Sequence, residues 1–163
     1  MKPLLVAATL LALAAPVAIA APATAAPAAA TCASPATSNP KTCAQAVSWA
    51  KAHVGVTSSD YNHRCDHVVA LAYGRSASGH ASAAAHWNAM PSAYKHSGTT
   101  VPAGGLAFFS IPGSTYGHVM ISIGSGKFVS NDIVSAGKLS ETTIATIESK
   151  WSGHYLGWSN PWF

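Results

Sequence analysis

Cys65, His118 and Asp132 are the residues of this chain whose types and spacing can do chemistry. A cysteine attacks as the thiolate, and it needs a base, usually an imidazole, held in turn by a third polar group. Cys65 stands in "YNHRCDHVVALAYG", at the start of an apolar pattern of helical period. A helix start offers unpaired backbone N–H groups and the positive end of the helix dipole. Both favour the thiolate, and the same N–H groups can receive an oxyanion. The competing reading of Cys65 is an inert buried thiol or half of a disulfide. Of eight histidines, His63 and His67 flank Cys65 too closely to be its obvious base, because such a triad is assembled in space. His118 opens "HVMISIG" after Gly117, so a strand would aim its ring from the end of a sheet. On the following strand Ser130 and Asp132 share parity and would face one side, which puts Asp132 in position to orient the ring. His63, Cys65 and His67 also place metal donors close together. Alternate residues entering a helix diverge, however, and no fourth ligand has characteristic spacing, so neither metal nor cofactor is expected.

These residues need a compartment and a scaffold. Lys2 followed by "LLVAATLLALAAPVAIA" reads as a signal peptide over residues 1–20, with "AIA" as the small-x-small cleavage pattern. Residues 21–41 read as an Ala/Pro-rich linker that cannot bury enough apolar surface to order itself, and residues 42–163 as one domain. The expected location is therefore extracellular or cell-wall-associated, with no membrane attachment after cleavage. Nine Lys and Arg against five Asp and Glu give a formal charge of +4, and the scattered charges form no nucleic-acid surface. A mild positive excess suits work near an anionic wall, and a monomer is the default.

Export permits disulfides, and three cysteines leave one over. Cys32 and Cys43 enclose a closable, proline-containing loop that would staple the entry segment to the first helix. Cys43 with Cys65 is the competing pair, and sequence leaves it open.

The elements that must position the site follow from periodicity. "CAQAVSWAKAHVG" predicts a helix with Thr42 as N-cap and Gly55 as stop. "CDHVVALAYG" predicts a second, with Val68, Val69, Leu71 and Ala72 inward, and "SAAAHWNAM" a third that halts before Pro91. "GGLAFFSI", "GHVMISIG" and "KFVSNDI" then read as strands, with "GSG" (124–126) as a hairpin turn. Ile144, Ile147 and Trp151 recur at helical spacing, and "HYLGWSNPWF" reads as a closing strand. Helices first and antiparallel strands afterwards indicate an α+β fold, with N-terminal helices packed on a small sheet.

A cysteine at a helix start followed, after a long gap, by "GHVMISIGSGKFVS" resembles the NlpC-type cell-wall peptidases of the papain-like superfamily that includes the CHAP amidases. "CDHVVALAYG" resembles that family's nucleophile helix, and "PAGGLAFFS" its strand before the histidine hairpin. The resemblance spans about residues 44–163 and is of the exported actinobacterial type. It implies a papain-like fold and a hydrolase that cuts amide bonds in peptidoglycan, either within the stem peptide or where the peptide joins the sugar. Cys65 would be the nucleophile and His118 the base, while Tyr61, Trp87 and Tyr116 are candidates to line the groove. The family commonly reads Asp-Cys-Ser-Gly where this chain reads Arg64-Cys65-Asp66-His67, and its third polar residue often falls at Ser130. The alternative is an inactive wall-binding or partner-binding module on the same fold. A Cys65 pKa near the ordinary 8.5 would favour that module, and a strongly depressed one the enzyme.

Overall fold

A computed structural model describes residues 32–163, so the expected signal peptide and the linker as far as residue 31 lie outside the described residues. The described residues are α+β, with four α-helices and a six-stranded antiparallel sheet. Helices α1 (Cys43–Ala52), α2 (Cys65–Ala72) and α3 (Ala83–Ala89) precede strands β1 (Lys95–His96), β2 (Leu106–Ile111), β3 (Ser114–Gly124), β4 (Lys127–Asn131) and β5 (Leu139–Thr142). Helix α4 (Ile144–Trp151) and strand β6 (His154–Ser159) close the chain, and the spatial order of strands is β1-β6-β2-β3-β4-β5.

Alternation along the strands gives the sheet two buried faces. Leu106, Phe108, Val119, Ile121 and Val129 pack with α1–α3 through Ala46, Ala50, Val68, Val69 and Ala83. Ala107, Phe109, Met120 and Phe128 form a second core with Ile147 of α4. Each fully buried Leu, Ile or Phe contributes about 1.5–3 kcal/mol, so the sheet is the rigid centre of the molecule. Leu71 of α2, expected inward, is only half-buried, and Ala70 takes an inward place instead.

Local chemistry starts and ends the elements. Thr42 and Gln45 form a capping box at α1, while Ser82 and Thr143 cap α3 and α4. Ser125 and Gly126 both have positive φ, as the tight turn between β3 and β4 requires. The buried Tyr73 hydroxyl, just after α2, donates to Gly104 O at 2.7 Å and ties the helix to the start of β2.

The Cys32–Cys43 disulfide is present, and Cys65 is the free thiol of the three. Residues 32–41, read from sequence as the end of the linker, lie against the domain. Ala33 is buried and its N–H donates to Ala103 O at 2.8 Å, and Ala36 N–H donates to Pro161 O at 3.0 Å. No helix among the described residues is long and apolar enough to cross a membrane.

Candidate active site

Helix α2 differs from the other three helices at its start. Its N-cap position is Arg64, whose side chain makes no capping hydrogen bond, so the N–H groups of the first turn have no side-chain acceptor. Cys65 is the first residue of that turn and is half-buried. It lines a cleft of about 600 Å³ that also holds His118, Tyr116, Trp151 and Asp132. Two hydrogen-bonding backbone amides, Val119 and Asp66, favour the thiolate. Val119 immediately follows His118, so the sulfur sits against the strand that carries the imidazole.

His118 is buried at 5 % exposure, and its Nε2 lies 2.6 Å from Ser130 Oγ. Its ring meets Trp151 edge-on at 4.8 Å between centroids. With Ser130 as acceptor, Nε2 carries the ring proton and Nδ1 is the basic nitrogen.

Asp132 does not orient His118. Strand β4 ends at Asn131, and Asp132 adopts a left-handed conformation with φ of 63°, which breaks the alternation that would have kept it in line with Ser130. Its carboxylate accepts instead from His63 N–H at 2.9 Å, Gly137 N–H at 2.6 Å and Asn131 Nδ2 at 2.6 Å. Asp132 thus braces the loop after β4 against the segment leading into α2. Ser130, still within the strand, provides the contact expected of Asp132.

The expected groove aromatics separate as well. Tyr116 is 70 % exposed on the β2–β3 hairpin and lines the cleft. Tyr61 packs against the helical core, and its carbonyl accepts from Asn131 Nδ2. Trp87 packs on Phe108, with the Lys95 ammonium 5.0 Å from its ring centre, and lines a separate smaller hollow. Neither Tyr61 nor Trp87 reaches the cleft that holds Cys65.

Electrostatics at Cys65 differ from the expectation at a helix start. Burial pushes the thiol up to about 12, and the Asp66 and Asp132 carboxylates add to the rise against the two amides. Burial likewise holds His118 down to about 3. These two amides, one from β3 and one from α2, do not offset the loss of water around the sulfur. Both shifts favour the neutral forms of the thiol and the imidazole that line this cleft.

Sequence reasoning passed over two further features. Asp66 and His86 form a buried pair, 2.6 Å between Oδ1 and Nδ1, directly behind Cys65. His80 lines the cleft and stacks on His86 at 4.4 Å. Nothing in the spacing of residues 66 and 86 marks the contact, because α2 and α3 are joined by an irregular segment. Among the described residues, no group of three His, Cys, Asp or Glu side chains is arranged to hold a metal ion.

No family model matches the chain, and no curated protein matches it.

Proposed function

We propose that the protein is an exported cysteine hydrolase of the papain-like NlpC/CHAP type that cleaves amide bonds in peptidoglycan. The observation that carries this reading is a free, half-buried cysteine at the uncapped start of α2, sharing a cleft with a buried imidazole whose other nitrogen is held by a hydroxyl. The choice of peptidoglycan rests on the sequence resemblance.

In the reaction, the Cys65 proton passes to His118 Nδ1 as the sulfur attacks the amide carbonyl carbon. The S–C bond forms and the carbonyl electron pair moves to oxygen, where the free N–H groups of the first turn of α2 receive it. As the C=O reforms, the C–N bond breaks and His118 gives its proton to the leaving nitrogen. Water then attacks the thioester, loses its proton through His118 to the departing sulfur, and releases a carboxylic acid. Burial opposes a lone thiolate and a lone imidazolium alike. Proton transfer between them creates both charges together, and their mutual attraction in a low-dielectric site offsets part of that cost. Ser130 keeps Nδ1 as the proton acceptor throughout, and Tyr116 flanks the bound chain.

The test is mass spectrometry of fragments released from purified peptidoglycan. The wild-type protein is expected to release fragments with new carboxyl and amine ends, and Cys65→Ala to release them at least ~10³-fold more slowly while remaining folded. Release unchanged by Cys65→Ala would overturn the reading.

The burial of both reacting groups favours one second reading, a wall-binding module with a silent cysteine. Wall binding by the wild type with no fragments released would select it.

A further inference from the structure

Behind the cleft, a chain of two hydrogen bonds runs from the first turn of α2 to the end of the protein. Asp66 Oδ1 lies 2.6 Å from His86 Nδ1, and His86 Nε2 lies 2.6 Å from the Trp162 carbonyl. His86 is fully buried and Asp66 is 5 % exposed. A carbonyl only accepts, so Nε2 must carry a proton. The Nδ1–Oδ1 contact at that distance requires a second proton between ring and carboxylate. Whichever atom holds it, the pair is neutral as a unit. Asp66 Oδ2 is buried and has no hydrogen-bond partner among the described residues, an arrangement that would be costly for an unneutralised carboxylate.

Among the described residues, His86 is the one basic side chain within ion-pair distance of Asp66. His80, from the segment before α3, stacks on His86, and Phe108 of β2 and Phe163 of the C-terminal tail close the remaining sides of the ring. On α2 itself, Cys65 and His67 flank Asp66. Arg64 is directed to Asp60, 3.7 Å away on the surface.

We propose that His86 is a positioning residue that acts through Asp66: by supplying the proton that makes the pair neutral and by fixing the carboxylate, it sets the reactivity of the Cys65 thiol from a side chain that is itself buried away from the cleft. Without the ring's proton, the carboxylate beside Cys65 becomes a bare buried anion that opposes the thiolate. The inference deepens the cysteine-nucleophile reading and rests on it for its functional meaning, although the thiol chemistry can be measured without any wall substrate.

The experiment is the rate of alkylation by iodoacetamide, a neutral reagent, across pH 7 to 9.5. Cys65 is the one unbridged cysteine, so the signal belongs to a single site. Gln can fill the space of His86 and donate a hydrogen bond, but it cannot supply the shared proton. His86→Gln is expected to slow alkylation at pH 8 at least ~5-fold, because a one-unit rise in thiol pKa is a tenfold loss of thiolate. The double variant Asp66→Asn/His86→Gln removes the carboxylate as well and is expected to return within about twofold of the wild-type rate. A packing role for His86 would not be rescued in this way. An unchanged rate in folded His86→Gln overturns the proposal. So does a double variant ~10-fold faster than wild type, which would mean that Asp66 is already a bare anion in the native protein; this arm decides even if His86→Gln alone does not fold. The expected alkylation pattern combined with wall hydrolysis that ignores Cys65→Ala would remove the hydrolase reading and leave this inference standing.

Discussion

Ser130 makes the contact with His118 that the sequence assigns to Asp132, and Asp132 has a different task. The Ser130 hydroxyl touches His118 Nε2, whereas the Asp132 carboxylate holds three donors around the loop after β4. Ser130→Ala should therefore reduce wall hydrolysis ~10–100-fold with little change in melting temperature, since it frees the ring without opening the core. Asp132→Ala should do the reverse in the first instance, lowering stability by about 1.5–3 kcal/mol through lost charge-assisted hydrogen bonds. Kinetics and thermal melts of the two purified variants check the assignment. Equal catalytic losses with Asp132→Ala the less stable in neither case would contradict it. Cys65 and His118 were legible as candidates from residue type and position, and the structure places both on one cleft, with Cys65 at a helix start and His118 inside β3. The Asp132 error arose where parity was extended one residue past the strand's end, and the Asp66–His86 pair had no sequence signal at all.

At the scale of elements, the contrast between capped and uncapped helices is the clearest structural mark of the site. Helices α1, α3 and α4 each have a side-chain cap, and α2, which carries Cys65, has none. A missing cap leaves donors free, at a cost of about 1 kcal/mol in helix stability. Strand β3 has its own constraint at Gly117, directly before His118. Gly117 has φ of 65°, and a Cβ there would stand 2.8 Å from Phe109 O and 3.3 Å from Ala84. Gly117→Ala should cost about 1–3 kcal/mol and, by shifting His118, reduce hydrolysis ~10²-fold beyond the stability loss, as urea unfolding and initial rates on one preparation would show. A stable, fully active Gly117→Ala protein would mean that β3 does not hold the ring. The three early helices and the strands β2, β3 and β4 follow from periodicity and caps. Strands β1 and β5 did not, since two and four residues at a sheet's flank carry too little alternation, and they form because β6 and β4 offer them open edges.

For the whole molecule, burial of Cys65 and His118 couples stability to pH from both sides. The folded protein keeps His118 neutral down to about 3, whereas the unfolded chain takes up that proton near 6.5. Acid therefore favours the unfolded state, and this contribution to stability is lost as pH falls from 6.5 toward 3. Cys65 works in the opposite direction: the unfolded thiol ionises near 9.0 and the folded one near 12, so its contribution is lost as pH rises through that window. The result expected is a plateau between about 6.5 and 9, with each group contributing a slope of up to about 1.4 kcal/mol per pH unit outside it. His118→Gln should flatten the acid limb in urea unfolding between pH 4 and 7, and an identical limb in both proteins would show that the imidazole is not buried neutral. In the proposed hydrolysis the same burial would make the thiol and imidazole react together, with no preformed ion pair. Peptide mapping after acid quench of the protein mixed with purified peptidoglycan tests that claim most directly. The peptide containing Cys65 is expected to carry a wall-derived acyl group in thioester linkage. Wall fragments released with Cys65 unmodified at every quench time, and released equally by Cys65→Ala, would contradict it.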